Sequence, residues 1–261
     1  MELVKKITVN SRSLLDAIQT IKIGSGMGES PINAYNHFLL ICRKGKMMMV
    51  SSNGPITMVT KMEDYHSDDS FSIAVPARQF DSLIKTLPTI NIDIEYHSNK
   101  NDSSISPSSV SHVIKVVYKS NVYSMDTISP SEFVKKPKTD LQSMKVDLSN
   151  LIMGIDMCKT FADSNENSVL SNICVRGSDS GMEIISTNNR TFIQYSAGGE
   201  YIVGDVIISP QSANAISSIK AAEGEIRMGE RHVEFWSETT SVTVPKIDMT
   251  YPQCNVFFLK F

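Results

Sequence analysis

Ser72-Ile-Ala-Val-Pro-Ala-Arg-Gln-Phe-Asp-Ser-Leu-Ile-Lys-Thr-Leu-Pro88 passes from a β-prone run straight into a helical one. A proline at position 76 suits the first turn of a helix, where its missing N–H costs nothing. Phe80, Leu83, Ile84 and Leu87 then recur at helical spacing, as a single buried stripe requires. The same phrase returns as Val206-Ile-Ile-Ser-Pro-Gln-Ser-Ala-Asn-Ala-Ile216, with Pro210 standing 134 positions after Pro76. Internal repetition of a strand-helix unit is therefore the first thing to test along the rest of the chain.

Working outward, Lys6 to Asn10 is a short strand, and Ser11 is positioned to cap a helix from Ser11 to Ile23 carrying Leu14, Leu15, Ile18 and Ile21. Strands fit His37–Cys42, Lys46–Ser51, Ile56–Met62 and Ser70–Val75, with Gly-containing turns between the first three. After the Phe80 helix, strands fit Ile90–His97, His112–Lys119 and Val122–Ile128. The second half repeats the order: strand Lys145–Asp147, helix Leu148–Asp163 with Leu151, Ile152, Ile155 and Phe161 inward, then strands Ser171–Arg176, Met182–Ser186 and Thr191–Ser196. Strand Asp205–Ser209, a helix opened by Pro210, and strands Glu225–Met228, His232–Ser237 and Ser241–Val244 complete it. The pattern is α+β: two copies of one domain, 1–128 and 144–261, each made of two β-α-β-β-β units, joined by a Pro- and Lys-containing linker over 129–143.

Composition bounds the chemistry. With 261 residues, 41% hydrophobic and 20% charged, the chain can bury real cores. Twenty-five Lys and Arg against 28 Asp and Glu give a net charge of −3, which argues against a strongly basic, base-reading DNA binder but allows a local cationic surface. The four cysteines, Cys42, Cys158, Cys174 and Cys254, are widely spaced and read as reduced, packed thiols of a cytoplasmic protein. The five histidines show no HExxH or HxH spacing, and Gly24-Ser-Gly-Met-Gly28 follows a helix and lacks the Lys-Ser/Thr of a phosphate loop. No GxSxG elbow appears, and the acidic pairs Glu63-Asp64 and Asp68-Asp69 lie in a polar turn. Nothing nominates a catalytic centre, a metal or a cofactor, and no apolar run is long enough to span a membrane.

The repeated unit, together with several phrases, resembles the bacterial sliding clamp, the beta subunit of DNA polymerase III. The Ser72–Pro88 and Val206–Ile216 segments look like the second-helix segments of its first and second domains. Asn167-Ser-Val-Leu-Ser-Asn172 and Ile185-Ser-Thr-Asn-Asn-Arg-Thr-Phe192 are similar to its "pvLnGv" and "aTDGHRLa" phrases, and Ser131-Glu-Phe133 and Ile247-Asp-Met-Thr-Tyr-Pro252 to its domain-closing segments. Bacterial members carry three such domains, whereas this sequence accounts for two. The family's Asp-Gly-His is here Asn188-Asn189-Arg190, and its arginine-containing loop after the first helix is Gly24–Ser30, without positive charge.

The resemblance implies a non-enzymatic processivity factor, associated with the nucleoid, that encircles duplex DNA and tethers replication or repair polymerases. Its DNA-facing residues would be Arg12, Lys22, Arg78, Lys85, Lys159 and Lys220 on the four helices, set against Asp16, Asp81, Asp156 and Asp163. Carried over position by position, the cleft for peptides of polymerases and the clamp loader would use Leu170, Thr187, Arg190, Phe192, Pro252 and Val256. The apolar tail Val256-Phe-Phe-Leu-Lys-Phe261 is expected to fold onto that cleft or into a subunit interface. A different class of reading is a clamp-like adaptor or decoy that binds clamp partners without DNA. For a ring, helix spacing decides the stoichiometry: eight helices about 10 Å apart leave a bore of about 15 Å, and twelve leave about 28 Å. Only the larger admits a duplex, so two-domain chains are expected to assemble as a homotrimer.

Overall fold

The computed structural model describes residues 2–43, 45–62, 65–66, 70–98, 112–139, 141–162, 168–178, 181–188, 190–199 and 204–252. The chain divides between Lys136 and Pro137 into two compact units. The expectations for Cys254, Val256 and the apolar tail, and for both acidic pairs, fall outside the described residues.

In the first unit, strand β1 (Glu2–Asn10) leads into helix α1 (Ser11–Ile21) and then β2 (His37–Arg43), β3 (Lys46–Ser52) and β4 (Thr57–Met62). A two-residue strand, β5 (Tyr65–His66), precedes β6 (Phe71–Pro76), helix α2 (Ala77–Thr86), β7 (Asn91–Ser98), β8 (His112–Tyr118) and β9 (Asn121–Thr127). This is the β-α-β-β-β unit twice over, with β5 as an addition. The strands pair antiparallel in the orders β5-β1-β7-β8-β9 and β6-β2-β3-β4. Each helix thus carries the chain from one sheet to the other, so β1 joins the later hairpins and β6 the earlier ones.

The second unit repeats this plan. It comprises β10 (Gln142–Asp147), helix α3 (Leu148–Lys159), β11 (Ile173–Ser178), β12 (Gly181–Thr187) and β13 (Phe192–Gly198), then β14 (Asp205–Ile208), helix α4 (Pro210–Ile216), β15 (Glu223–Met228), β16 (His232–Trp236) and β17 (Thr240–Pro245). Its orders are β10-β15-β16-β17 and β14-β11-β12-β13, the same exchange of first strands.

The helices form because one stripe of each can be buried. Leu14, Ala17, Ile18 and Ile21 of α1 and Phe80 and Ile84 of α2 are at most 6% exposed. Each of the Leu, Ile and Phe side chains contributes about 1.5–3 kcal/mol relative to exposure. Helices α1 and α2 pack on each other and on the sheets, and α3 and α4 do the same in their unit. The cap of α1 differs from the sequence reading. Asn10 supplies it, its side chain accepting from the Arg12 N–H at 2.9 Å. The Ser11 hydroxyl instead donates to the Pro88 carbonyl at 2.7 Å and accepts from the Ile90 N–H at 3.0 Å. Helix α3 stops at Lys159 rather than at residue 163, and Phe161 lies beyond it, half-buried. Cys42 and Cys158 are buried free thiols, and burial pushes both up to about 12.

Candidate nucleic-acid interface and partner cleft

The six cations anticipated on the helices sit on or beside them: Arg12 on α1, Lys22 just after it, Arg78 and Lys85 on α2, Lys159 on α3 and Lys220 just after α4. Most have a partner close at hand. Arg12 meets Asp16 at 3.4 Å, with both side chains more than half exposed, a screened pair of little energetic weight. Lys22 donates to the Gln19 side-chain oxygen. Gln19 in turn reaches across from α1 to Asp81 of α2 at 3.5 Å, and the other Asp81 oxygen takes Lys85 at 2.5 Å. Asp81 is 5% exposed, so this polar chain is buried at its acidic end.

Unit two uses the same device with different residues. Asp156 of α3 accepts from Lys159 at 2.6 Å and from the Ser217 hydroxyl at the end of α4, also at 2.6 Å. Partial burial works to raise the Asp156 carboxyl, but the bonds from Lys159 and Ser217 outweigh it and hold it below the ordinary carboxylate range. In both units one aspartate stitches the helix pair together and neutralises a lysine at a helix end. Arg78 and Lys220 are exposed and have no ion-pair partner among the described residues. The Asp81–Lys85 spacing was visible in the sequence, being an i,i+4 pair. The tie from Asp156 to Ser217 was not, since it joins residues 61 apart.

The cleft residues gather at one end of the β14-β11-β12-β13 sheet. Cys174, Ile185, Ile207 and Tyr251 form a buried cluster, with Val169, Phe192 and Ile247 packed against it. Leu170 is buried in the 3-10 turn Val169–Ser171. Thr187 ends β12 directly opposite Phe192, which begins β13. Between them the Asn188 side chain accepts from the N–H groups of Arg190 at 3.1 Å and Thr191 at 2.8 Å, leaving Arg190 exposed. The segment ending in Tyr251-Pro252 is fastened by Ile247 N–H to the Ile207 carbonyl at 3.0 Å and by the Tyr251 hydroxyl to the Asn172 carbonyl at 3.3 Å. Of the six anticipated residues Phe192 packs on this cluster, Thr187 pairs with Phe192, Leu170 and Pro252 are chain neighbours of its members Val169 and Tyr251, Arg190 is exposed, and Val256 lies outside the described residues. Tyr251, wholly buried, is the cluster residue that the position-by-position reading passed over.

Among the described residues no three His, Cys, Asp or Glu side chains are grouped as metal ligands would be. No helix among them is long and apolar enough to cross a membrane.

Neither a family model nor a curated protein matches the sequence. Solved structures do match. The DNA polymerase sliding clamp from Bacillus subtilis superposes with a TM-score of 0.84 at 14% identity, covering 98% of this chain and 68% of that one. The Helicobacter pylori beta clamp bound to a DNA ligase peptide gives 0.81 at 15% identity, covering 98% and 70%. The DNA polymerase III subunit beta from Pseudomonas aeruginosa gives 0.78 at 14%, covering 97% and 68%. At such low identity, and with the strand exchange repeated in both units, the shared property is architecture: this chain has the fold of the DNA polymerase III beta-subunit sliding clamps.

Proposed function

We propose that the protein is a DNA sliding clamp, a non-enzymatic ring around duplex DNA that tethers replication or repair polymerases. The observation that carries this reading is the clamp fold over 98% of the chain, with a helix pair in each unit that bears cations. Arg12, Lys22, Arg78, Lys85, Lys159 and Lys220 are the DNA-facing set. A ring holds DNA topologically, so sequence-blind, weak phosphate contacts are enough and strong ones would impede sliding. The cleft formed by Leu170, Thr187, Arg190, Phe192 and Pro252 takes short peptides of the polymerase or loader.

The ring is a homotrimer, closed head to tail. Strand β9 ends one sheet of the first unit and β13 ends one sheet of the second. Val122 and Tyr123 on β9 are 55% and 40% exposed, an apolar edge that natural proteins cover. Pairing β9 of one copy with β13 of the next covers both edges three times over. Retention on circular duplex DNA, lost when the DNA is linearised, tests the reading. The double variant Arg78→Ala/Lys220→Ala should leave folding intact and shorten retention, with a smaller salt dependence. Equal, weak binding to circular and linear DNA would overturn it.

One observation favours the second reading, an adaptor that binds clamp partners without DNA. Lys85 and Lys159 are each neutralised by a carboxylate on their own helix, which leaves little free positive charge to hold a duplex. Peptide binding at the cleft together with no retention on circular DNA would select it.

A further inference from the structure

A polar cavity of about 620 Å³ in the first unit opens between the start of α2, the end of β9 and the 3-10 turn Asn33–Asn36. Helix α2 begins on Pro76, which offers no side-chain cap, and its first turn holds no acidic residue. The first turn of α2 therefore carries uncapped N–H donors and the positive end of the helix dipole, and of its residues Arg78 and Gln79 reach the cavity. Arg78 and Gln79 line the cavity, and both are exposed without a hydrogen-bonding or ionic partner among the described residues. The Arg78 stem runs beside Gly28, at φ +88°, where an added Cβ would stand 3.4 Å from the Arg78 Cδ. This much of the wall fits an anion.

Two other lining residues suit a donor. His37 is 5% exposed and lines the same cavity. Its Nδ1 lies 2.8 Å from the Asn33 carbonyl, so that nitrogen carries the proton and Nε2 is an acceptor. Burial lowers the ring below its ordinary value, against the opposing pull of the Asn33 bond, so it stays neutral near pH 7. Nε2 has no hydrogen-bond partner among the described residues. Asp126 of β9 adds a second acceptor to the cavity wall.

We propose that this cavity binds a nucleotide unit, its phosphate on Arg78 and the α2 N-terminus and a hydroxyl or amino group of the nucleoside on His37 and Asp126. The ligand is thus a phosphate joined to a donor group rather than a bare anion, which would face Asp126 with nothing to offer it. A free mononucleotide and a nucleotide within a DNA strand share this chemistry. The inference does not require ring closure, though the β9 residues that line the cavity belong to the edge that the proposed ring pairs with β13 of the next copy.

The test is titration of the full chain with thymidine 5′-monophosphate, inorganic phosphate and a short linear duplex, following the backbone amide signals of Ala77, Arg78 and Gln79. The mononucleotide should shift them saturably at about millimolar concentration, inorganic phosphate about threefold more weakly, and Arg78→Met should weaken the mononucleotide about tenfold. Shifts by the duplex alone would reflect the DNA-facing role already proposed for Arg78 and would overturn a separate nucleotide site. No shift by the mononucleotide, inorganic phosphate binding as tightly as the mononucleotide, or an unchanged Arg78→Met variant would likewise overturn it. A short linear duplex cannot retain a ring, so failure here is separable from failure of the retention test.

Discussion

Asp156 sits where two opposing effects on one carboxyl can be weighed. Desolvation disfavours its charge, while hydrogen bonds from Lys159 and Ser217 favour it, and the net result is a depressed value. A group whose folded value lies below its unfolded one stabilises the fold fully above the unfolded value, and that contribution is lost as pH falls through the folded one. Solvent screens the pair, since 45% of the Asp156 side chain is exposed. Asp156→Asn should therefore cost only about 0.5–1 kcal/mol at pH 7, and the gap between variant and wild type should close as pH drops below about 4. Urea melts at a series of pH values would measure it. A gap that is constant with pH would mean that the Ser217 bond, not the charge, does the stabilising.

Helix α3 shows what one small residue does for an element. Gly154 is buried in the middle of it, where alanine would ordinarily be better by about 1 kcal/mol. A Cβ there would stand 2.5 Å from Cδ1 of Tyr195 and 2.7 Å from Cδ1 of Ile184. The tyrosine ring cannot swing aside freely, because its hydroxyl donates to Asn150 on the same helix. Asn150 also donates to the Ala197 carbonyl at 2.6 Å. Overpacking costs about 1–3 kcal/mol, so it wins, and Gly154→Ala should destabilise the protein by about 1 kcal/mol net in a thermal melt. An unchanged or higher midpoint would mean that the sheet yields to the helix. Strands and helices of this kind were legible because burial leaves its mark on the sequence: β2 and β4 alternate over part of their length, β3 is a short apolar run bounded by turn residues, and α2 buries Ala77, Phe80, Asp81 and Ile84 at three- and four-residue spacing. What was not legible depended on distant partners. Asn10 and Ser11 are equally good caps by composition, and the choice between them is made by the Pro88 and Ile90 backbone, 77 and 79 residues away. Strand β5 is two residues long, and it exists only because the edge of β1 is there to receive it. The same holds for the cleft: its phrases were readable, but the burial of Tyr251 under them was not.

At the scale of the assembly, the proposed trimer makes a prediction about mass. Light scattering at micromolar concentration should report about 87 kDa, three times the 28.9 kDa chain. Replacing Val122 and Tyr123 with lysines should shift that mass to a monomer without lowering the melting transition of either unit, since both side chains are on an edge rather than in a core. A strict monomer in the wild type at high concentration, with and without DNA, would exclude the self-assembled ring.

The exchange of first strands between half-units reaches into how the protein comes into being. A nascent chain that has just delivered β1 and α1 holds a strand whose principal neighbour, β7, begins only seventy residues later. Hairpins β2–β3–β4 can close at once, but they wait for β6 to cover their flank. Each unit must therefore complete as a whole, with no stable halfway product to accumulate or be clipped. Two fragments severed between β5 and β6 would each be missing a strand that the other holds, and would have reason to find one another.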